Sequence, residues 1–243
     1  MVRKMTLKIF AGTLILMAFS LIQAQITVVP IRVFLDPGKK SADLKITNEK
    51  SEKMNIQVRA VAWSQDPEGK DKFDPTEDIV FFPKIFEVEP GKDAVIRVGY
   101  QGDWPETEKN YRLFIRELPI TTPDQKGLSV AVRLGIPVFI SPKNQNRSAV
   151  IESVRLDDQK ISVNIKNTGN VHYLAEKIQA IGMDSTDQET FKHEITGWYV
   201  LSGVSRIFSI EISEEEALGA EKVLIKVSSG KDILEKTFML SKE

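Results

Sequence analysis

The sequence predicts an all-β protein built from two immunoglobulin-like β-sandwiches in tandem, and three observations predict it. Nearly every apolar segment alternates with period two, the pattern of a strand with one face buried. Turn residues rich in Gly, Pro, Asn and Asp separate these segments at short intervals. The alternation stops once, in the polar stretch Pro142-Lys143-Asn144-Gln145-Asn146-Arg147, and then resumes. A chain of 243 residues with 42% hydrophobic and 28% charged residues has room for two ordinary domains with real cores.

Before the first strand, Arg3, Lys4 and Lys8 precede an apolar run from residue 9 to 22, followed by Gln23-Ala24-Gln25. A basic start, a short apolar stretch and a small residue before a polar one form a secretory signal peptide. The run is about 14 residues, short of the ~20 that span a bilayer. Residues 1–24 are therefore expected to be removed after about Ala24, leaving a mature chain outside the cytoplasm. The alternative is an uncleaved anchor.

Strands are expected over residues 26–34, 42–47, 55–63, 94–98, 111–118 and 128–140 of a first domain, residues 25–143. Asp36-Pro37-Gly38, Pro67-Glu68-Gly69, Glu89-Pro90-Gly91 and Asp124-Gln125-Lys126-Gly127 supply its turns. A second domain, residues 144–243, reads as strands over 151–156, 161–165, 174–182, 206–212, 222–227 and 233–240. Its turns are Asn167-Thr168-Gly169-Asn170 and Ser228-Ser229-Gly230-Lys231. One short helix is expected at 214–220, and no residue-level repeat links the halves. Spacing of this kind argues for sandwiches of the immunoglobulin type.

Composition and motifs exclude most chemistry. Net charge is −1, so no global field attracts nucleic acid or an anionic membrane. Cysteine is absent, which removes disulfides, thiolate catalysis, sulfur-ligated metal and a lipobox anchor. His172 and His193 are the only histidines and share no metal-ligand spacing; they read as a turn residue and a surface residue. No nucleophile elbow and no phosphate-binding glycine loop occurs. Trp63, Trp104 and Trp198 fall on a strand, a loop and a strand edge, scattered as core and loop packing rather than gathered as a sugar platform. Neither enzyme activity, cofactor, metal nor nucleotide is expected.

One strand stands out. Residues 128, 130, 132, 134 and 136 are Leu, Val, Val, Leu and Ile, with Ser129, Ala131, Arg133 and Gly135 between them. One face is thus wholly aliphatic for about 30 Å. It is either an interior strand facing its own core or an apolar edge strand, which proteins otherwise guard with charges and kinks.

The first domain resembles the periplasmic chaperones that assemble pili in chaperone–usher systems. Arg32-Val33-Phe34 and Leu44-Lys45-Ile46-Thr47-Asn48 are similar to the family's opening strands. Phe82-Pro83, Phe86-Glu87-Val88-Glu89-Pro90-Gly91 and Val95-Ile96-Arg97-Val98 are similar to its middle signature. Tyr111-Arg112-Leu113 with Ile115-Arg116-Glu117-Leu118-Pro119, then residues 128–142, match its later strands. Asn167-Thr168-Gly169-Asn170 and Tyr199-Val200-Leu201-Ser202-Gly203 extend a looser likeness into the second domain.

The resemblance implies an L- or boomerang-shaped pair of sandwiches and a mechanism. Pilus subunits lack their last strand, and the chaperone lends its own by strand addition. Leu128, Val130, Val132 and Leu134 would fill the subunit's groove. The loaded chaperone would pass its subunit to an outer-membrane usher, without nucleotide. The free protein would cap itself by pairing the edges of two copies.

The sequence departs from the family pattern at one point. Better-known members anchor the subunit's terminal carboxylate with an Arg on the first strand and a Lys near the end of the last. Arg32 matches the Arg, but Pro137 stands at the Lys position, and Ser141 replaces an Arg of an interdomain salt bridge. The stretch 133–139 is similar to the older, archaic-type branch instead. Arg112 or Arg116, with Arg133 behind them, is expected to complete the anchor, because a guanidinium grips a carboxylate in bidentate fashion. Alternatively Arg116 merely pairs with Glu117 or another carboxylate. Rival readings are a structural pilus or adhesin component and a sugar-binding immunoglobulin-like module.

Overall fold

The computed structural model describes residues 26–66, 68–118, 132–157 and 159–240. The first sandwich contains β1 (Ile26–Val29), β2 (Val33–Leu35), β3 (Ser41–Asn48), β4 (Met54–Gln65), β5 (Asp71–Pro75), β6 (Ile79–Phe82), β7 (Ile85–Val88), β8 (Asp93–Tyr100), β9 (Lys109–Leu118) and β10 (Arg133–Ile140). The second contains β11 (Ala149–Asp157), β12 (Lys160–Asn167), β13 (Tyr173–Leu174), β14 (Lys177–Met183), β15 (Glu189–Thr196), β16 (Tyr199–Val200), β17 (Ser205–Glu211), α1 (Glu214–Gly219), β18 (Lys222–Ser229) and β19 (Asp232–Met239). The fold is the predicted all-β pair of immunoglobulin-like sandwiches.

In the first sandwich one sheet runs β1-β3-β8-β6 and faces a second running β2-β10-β9-β4-β5, with β7 also on β4. Alternation buries Leu44, Ile46, Ile96 and Val98 from the first sheet against Ile56, Val58, Leu113, Ile115, Ile136, Val138 and Ile140 from the second. The second sandwich packs β11-β12-β17 against β15-β14-β18-β19 around Ile161, Val163, Ile165, Ile178, Ile225 and Val227.

The single strand expected over 26–34 is two strands in different sheets. β1 pairs antiparallel with β3, whereas β2 pairs parallel with β10. Pro30 lies between them and has no N–H to continue a ladder, so the chain crosses between sheets there. The expected strand 174–182 likewise divides, because Ala175 and Glu176 bond to Trp198 and Ser228 while the chain changes partners. β5, β6, β7, β15 and β16 escaped the alternation, being short, or rich in charge like Asp71-Lys72-Phe73-Asp74-Pro75. The helix forms where expected, held by a Ser213–Glu216 capping box.

One local correspondence links the halves, although it is too short to be a sequence repeat. Asn48 and Asn167 each follow an Ile-x pair at the end of a core strand. Asn48 Nδ2 donates to the carbonyls of Glu52 and Val88 at 2.8 and 2.9 Å, and its Oδ1 accepts from the N–H of Lys50. Asn167 Nδ2 donates to Val171 and Val200, both at 2.8 Å, and its Oδ1 accepts from Gly169. The local offsets, two and four residues ahead, are the same in both. Each buried amide replaces backbone partners at a corner, where unpaired groups are costly. Asn48→Ala and Asn167→Ala are each expected to cost at least about 2 kcal/mol, since two carbonyls and an N–H lose their partner. The losses should add in the double variant, the sites lying in separate domains. Urea unfolding checks both.

Candidate functional site

The outward face of the β10-β9-β4 sheet carries a regular array of side chains. Register sets Arg133 opposite Arg116 and that opposite Gln57; then Gly135, Phe114 and Arg59; then Pro137, Arg112 and Val61. Arg112 and Arg116 therefore share this face, as expected, with Arg133 beside Arg116. Glu117 pairs with Lys50 at 2.6 Å instead of Arg116.

β10 is an edge for only part of its length. Its residues Val138–Ile140 lie between β9 and β2, while Arg133–Pro137 have β9 alone among the described strands. The N–H of Glu117 donates to the carbonyl of Val132, so Val132, Leu134 and Ile136 direct their backbone groups to β9. Alternation then turns the backbone of Arg133, Gly135 and Pro137 toward the open side. Pro137 is tolerated because its missing N–H falls on that open side. Leu134 packs partly against the core and Val132 is half-buried. Leu128 and Val130 lie outside the described residues.

Arg112 is 6% exposed. Its guanidinium carbon sits 3.8 Å from the Trp63 ring centroid, 5.5 Å from Trp198 and 5.8 Å from Tyr199. Its Nη1 donates to the Gly135 carbonyl at 3.2 Å. No described carboxylate forms an ion pair with it; Asp71 faces Arg206 at 3.7 Å and accepts from the Trp198 indole at 3.2 Å. Burial pulls the guanidinium below its ordinary value, opposed by the field of Asp71. Arg32 is exposed, with its guanidinium 5.9 Å from the other contact of Arg112, the Tyr199 ring. The four predicted anchor residues thus divide into a cleft pair, Arg32 and Arg112, and an outer pair, Arg116 and Arg133, about 13 Å away along the strands.

The tryptophans are not all scattered. Trp63 and Trp198 converge on Arg112, while Trp104 packs on Tyr100 at 5.2 Å. Nor is His172 an ordinary turn residue. It is buried, stacked on Phe139 at 3.9 Å, and its Nδ1 lies 2.9 and 3.0 Å from the oxygens of buried Glu108 in the first sandwich. Glu108 also accepts from the His172 N–H. Gln65 bonds Tyr199 and Leu201 across the same boundary, around a cluster of Trp63, Phe139, Tyr199 and Leu201. Single-strand periodicity carries no signal for such pairs, since Glu108 and His172 sit on loops.

Residues 25–146 match the family described as pili and flagellar-assembly chaperone, PapD N-terminal domain. The chain belongs to that family. The family is one of chaperones, not enzymes. No curated protein sequence matches the chaperone. Among solved structures it is similar to a chain of the CsuC–CsuE chaperone–tip adhesion subunit pre-assembly complex of archaic chaperone–usher Csu pili of Acinetobacter baumannii. That match has 20% identity and a TM-score of 0.62, covering 90% of this chain and 100% of that one. It is similar to the Pseudomonas aeruginosa CupB2 chaperone, with 16% identity, TM-score 0.53 and 86% and 97% coverage. A chain of the Salmonella enterica SafA pilin–SafB chaperone complex matches with 14% identity, TM-score 0.54 and 88% and 96% coverage. These likenesses show a shared two-domain fold.

Glu108→Ala in the chaperone leaves a buried ring nitrogen and a buried N–H without an acceptor. It is expected to cost about 3 kcal/mol. His172→Ala in the Glu108→Ala background should cost much less than alone, because the pair is coupled. Denaturant unfolding of the four members of the cycle checks this.

Proposed function

We propose that this chaperone works in the periplasm and grips pilus subunits by lending them the open edge of β10, with Arg32 and Arg112 holding the subunit's terminal carboxylate. The observation that carries the reading is Arg112, a buried guanidinium without a carboxylate partner among the described residues, at the end of an open strand edge. Burying an unpaired charge is costly, so the site is built to receive an anion. Arg112 stands directly across from Pro137, so the positive charge has moved one strand over from the position Pro137 leaves neutral.

The direction of the incoming strand follows from what is already occupied. β2 covers the edge at Val138–Ile140, so a chain ending at Arg112 must approach from the Arg133 end. It then runs parallel to β10 and meets the outward backbone groups of Arg133 and Gly135, the Gly135 carbonyl being shared with Arg112. Leu128, Val130, Val132 and Leu134 are the groove-filling residues of this reading. Each buried side chain contributes about 1.5–3 kcal/mol. The basic start and apolar run export the chain, with cleavage after about Ala24. The subunit then passes to an outer-membrane usher, and the free chaperone caps itself by pairing the open edges of two copies. The archaic-type stretch 133–139 is in keeping with the likeness to the Csu complex.

The test is co-expression in a bacterial periplasm with short secreted subunits encoded beside the chaperone gene, followed by pull-down. Arg112→Ala should lower the affinity for a recovered subunit about 10–100-fold, as expected for charge-assisted bonds. Arg112→Lys should retain part of it. Val132→Ser with Leu134→Ser should reduce recovery without altering the anchor. Unchanged recovery in Arg32→Ala and Arg112→Ala variants that unfold like the parent would overturn the anchor, and subunits stable without the chaperone would overturn chaperoning.

A further inference from the structure

Beyond the cleft, the same sheet face bears three cations whose placement asks for a partner. Arg133 and Arg116 are directly opposite in the β10–β9 register, and like charges so placed destabilise a sheet. Arg59 follows in the next row, across from Phe114. None of the three forms an ion pair with a described residue, whereas Arg97 and Arg206 on other faces have Asp43 and Asp71. The three arginines line one cleft of ≈ 560 Å³ together with Gln57, Phe73 and Phe114.

The cleft is shaped as well as charged. The Arg133 guanidinium carbon lies 3.7 Å from the Phe114 ring centroid, and Phe73 meets the same ring edge-on at 5.4 Å. Gly135 makes room for this stack: a Cβ there would approach the Phe114 ring to 3.0 Å. Arg133 is thus held flat on an aromatic floor, with its N–H fork placed to donate to a planar carboxylate.

We propose that Arg59, Arg116 and Arg133 form a second anion site, which takes an Asp or Glu side chain from the bound subunit's terminal strand. This rests on the reading in which that strand runs along β10 and ends at Arg112. Side chains on one face recur every second residue, about 6.6–7 Å apart. The row of Arg133 and Arg116 is therefore level with about the fourth residue before the subunit's last, while Arg59, on β4 two strands behind β10, adds its field rather than a contact. The site selects subunits whose final strand carries an acidic residue at that place, and it fixes that strand's register along β10.

The experiment uses the mature chaperone and short synthetic peptides of alternating Val and Thr with a free carboxyl end. One peptide carries Glu at the fourth place before the end, one carries Gln there, and a third is the Glu peptide with an amidated end. Binding is followed by titration calorimetry at low and high salt. The Glu peptide should bind about tenfold tighter than the Gln peptide at low salt, a difference that salt erodes. Arg116→Gln with Arg133→Gln should abolish the difference while leaving the loss caused by amidation intact. Equal binding of Glu and Gln peptides, or no binding by either, overturns the second site. If amidation has no effect while the Glu preference stands, the Arg112 anchor fails and the second site survives. If the double variant changes only the sedimentation of the free chaperone, and not the Glu preference, the face belongs to contacts between copies and the proposal falls.

Discussion

Three residues of parallel pairing, Val33–Leu35 of β2 against Val138–Ile140 of β10, set the geometry on which the rest depends. They close the first sandwich at one end and leave β10 open at the other. They place Val138 and Ile140 in the core and, by alternation, Phe139 on the opposite face. Phe139 then serves the domain joint, stacked between His172 and Phe34. A longer β2 would close the edge altogether. A shorter one would free the core end of β10 and loosen the joint with it.

Electrostatics divides the molecule into satisfied and unsatisfied regions. Where a charge only supports structure, its partner is close: Arg97 with Asp43, Lys50 with Glu117, Arg206 with Asp71. On the β10-β9-β4 face Arg112 and Arg133 stand on aromatic rings instead. Ring contacts orient a guanidinium and ease its burial without neutralising it. Such a surface keeps net positive charge available to a visitor while holding the charged groups in place. In a chain of net charge −1, that local surplus is what a composition cannot reveal.

The fold was largely legible, because alternation and turn chemistry report directly on strands with one buried face. What was lost was lost for physical reasons. Residues 26–34 form one mostly apolar run through Pro30, although the buried parity switches from Val28 to Val33 and Leu35, so the run concealed two strands in two sheets. Asp71–Pro75 and Glu189–Thr196 are exposed or charged strands whose pairing is backbone-driven and leaves no hydrophobic signature. At the site, family likeness gathered Arg32, Arg112, Arg116 and Arg133, and the fold sorted them by distance. Glu108 and His172 were invisible because their partnership spans the two domains. The Asn48 and Asn167 corners were overlooked because two residues conserve a role, an Ile and an Asn, while everything between them differs.

If β10 lends its edge as proposed, Pro137 has a consequence for how the lent strand keeps time with its guest. A ladder of identical backbone bonds has no intrinsic zero, and an incoming chain could settle two residues early or late with its faces unchanged. Here the ladder ends at a residue with no donor, immediately before an edge that β2 already fills. Among the described residues, the open stretch offers the backbone groups of Arg133 and the N–H of Gly135, whose carbonyl already accepts from Arg112. It therefore acts as a ruler with a stop at one end, and the stop lies level with Arg112.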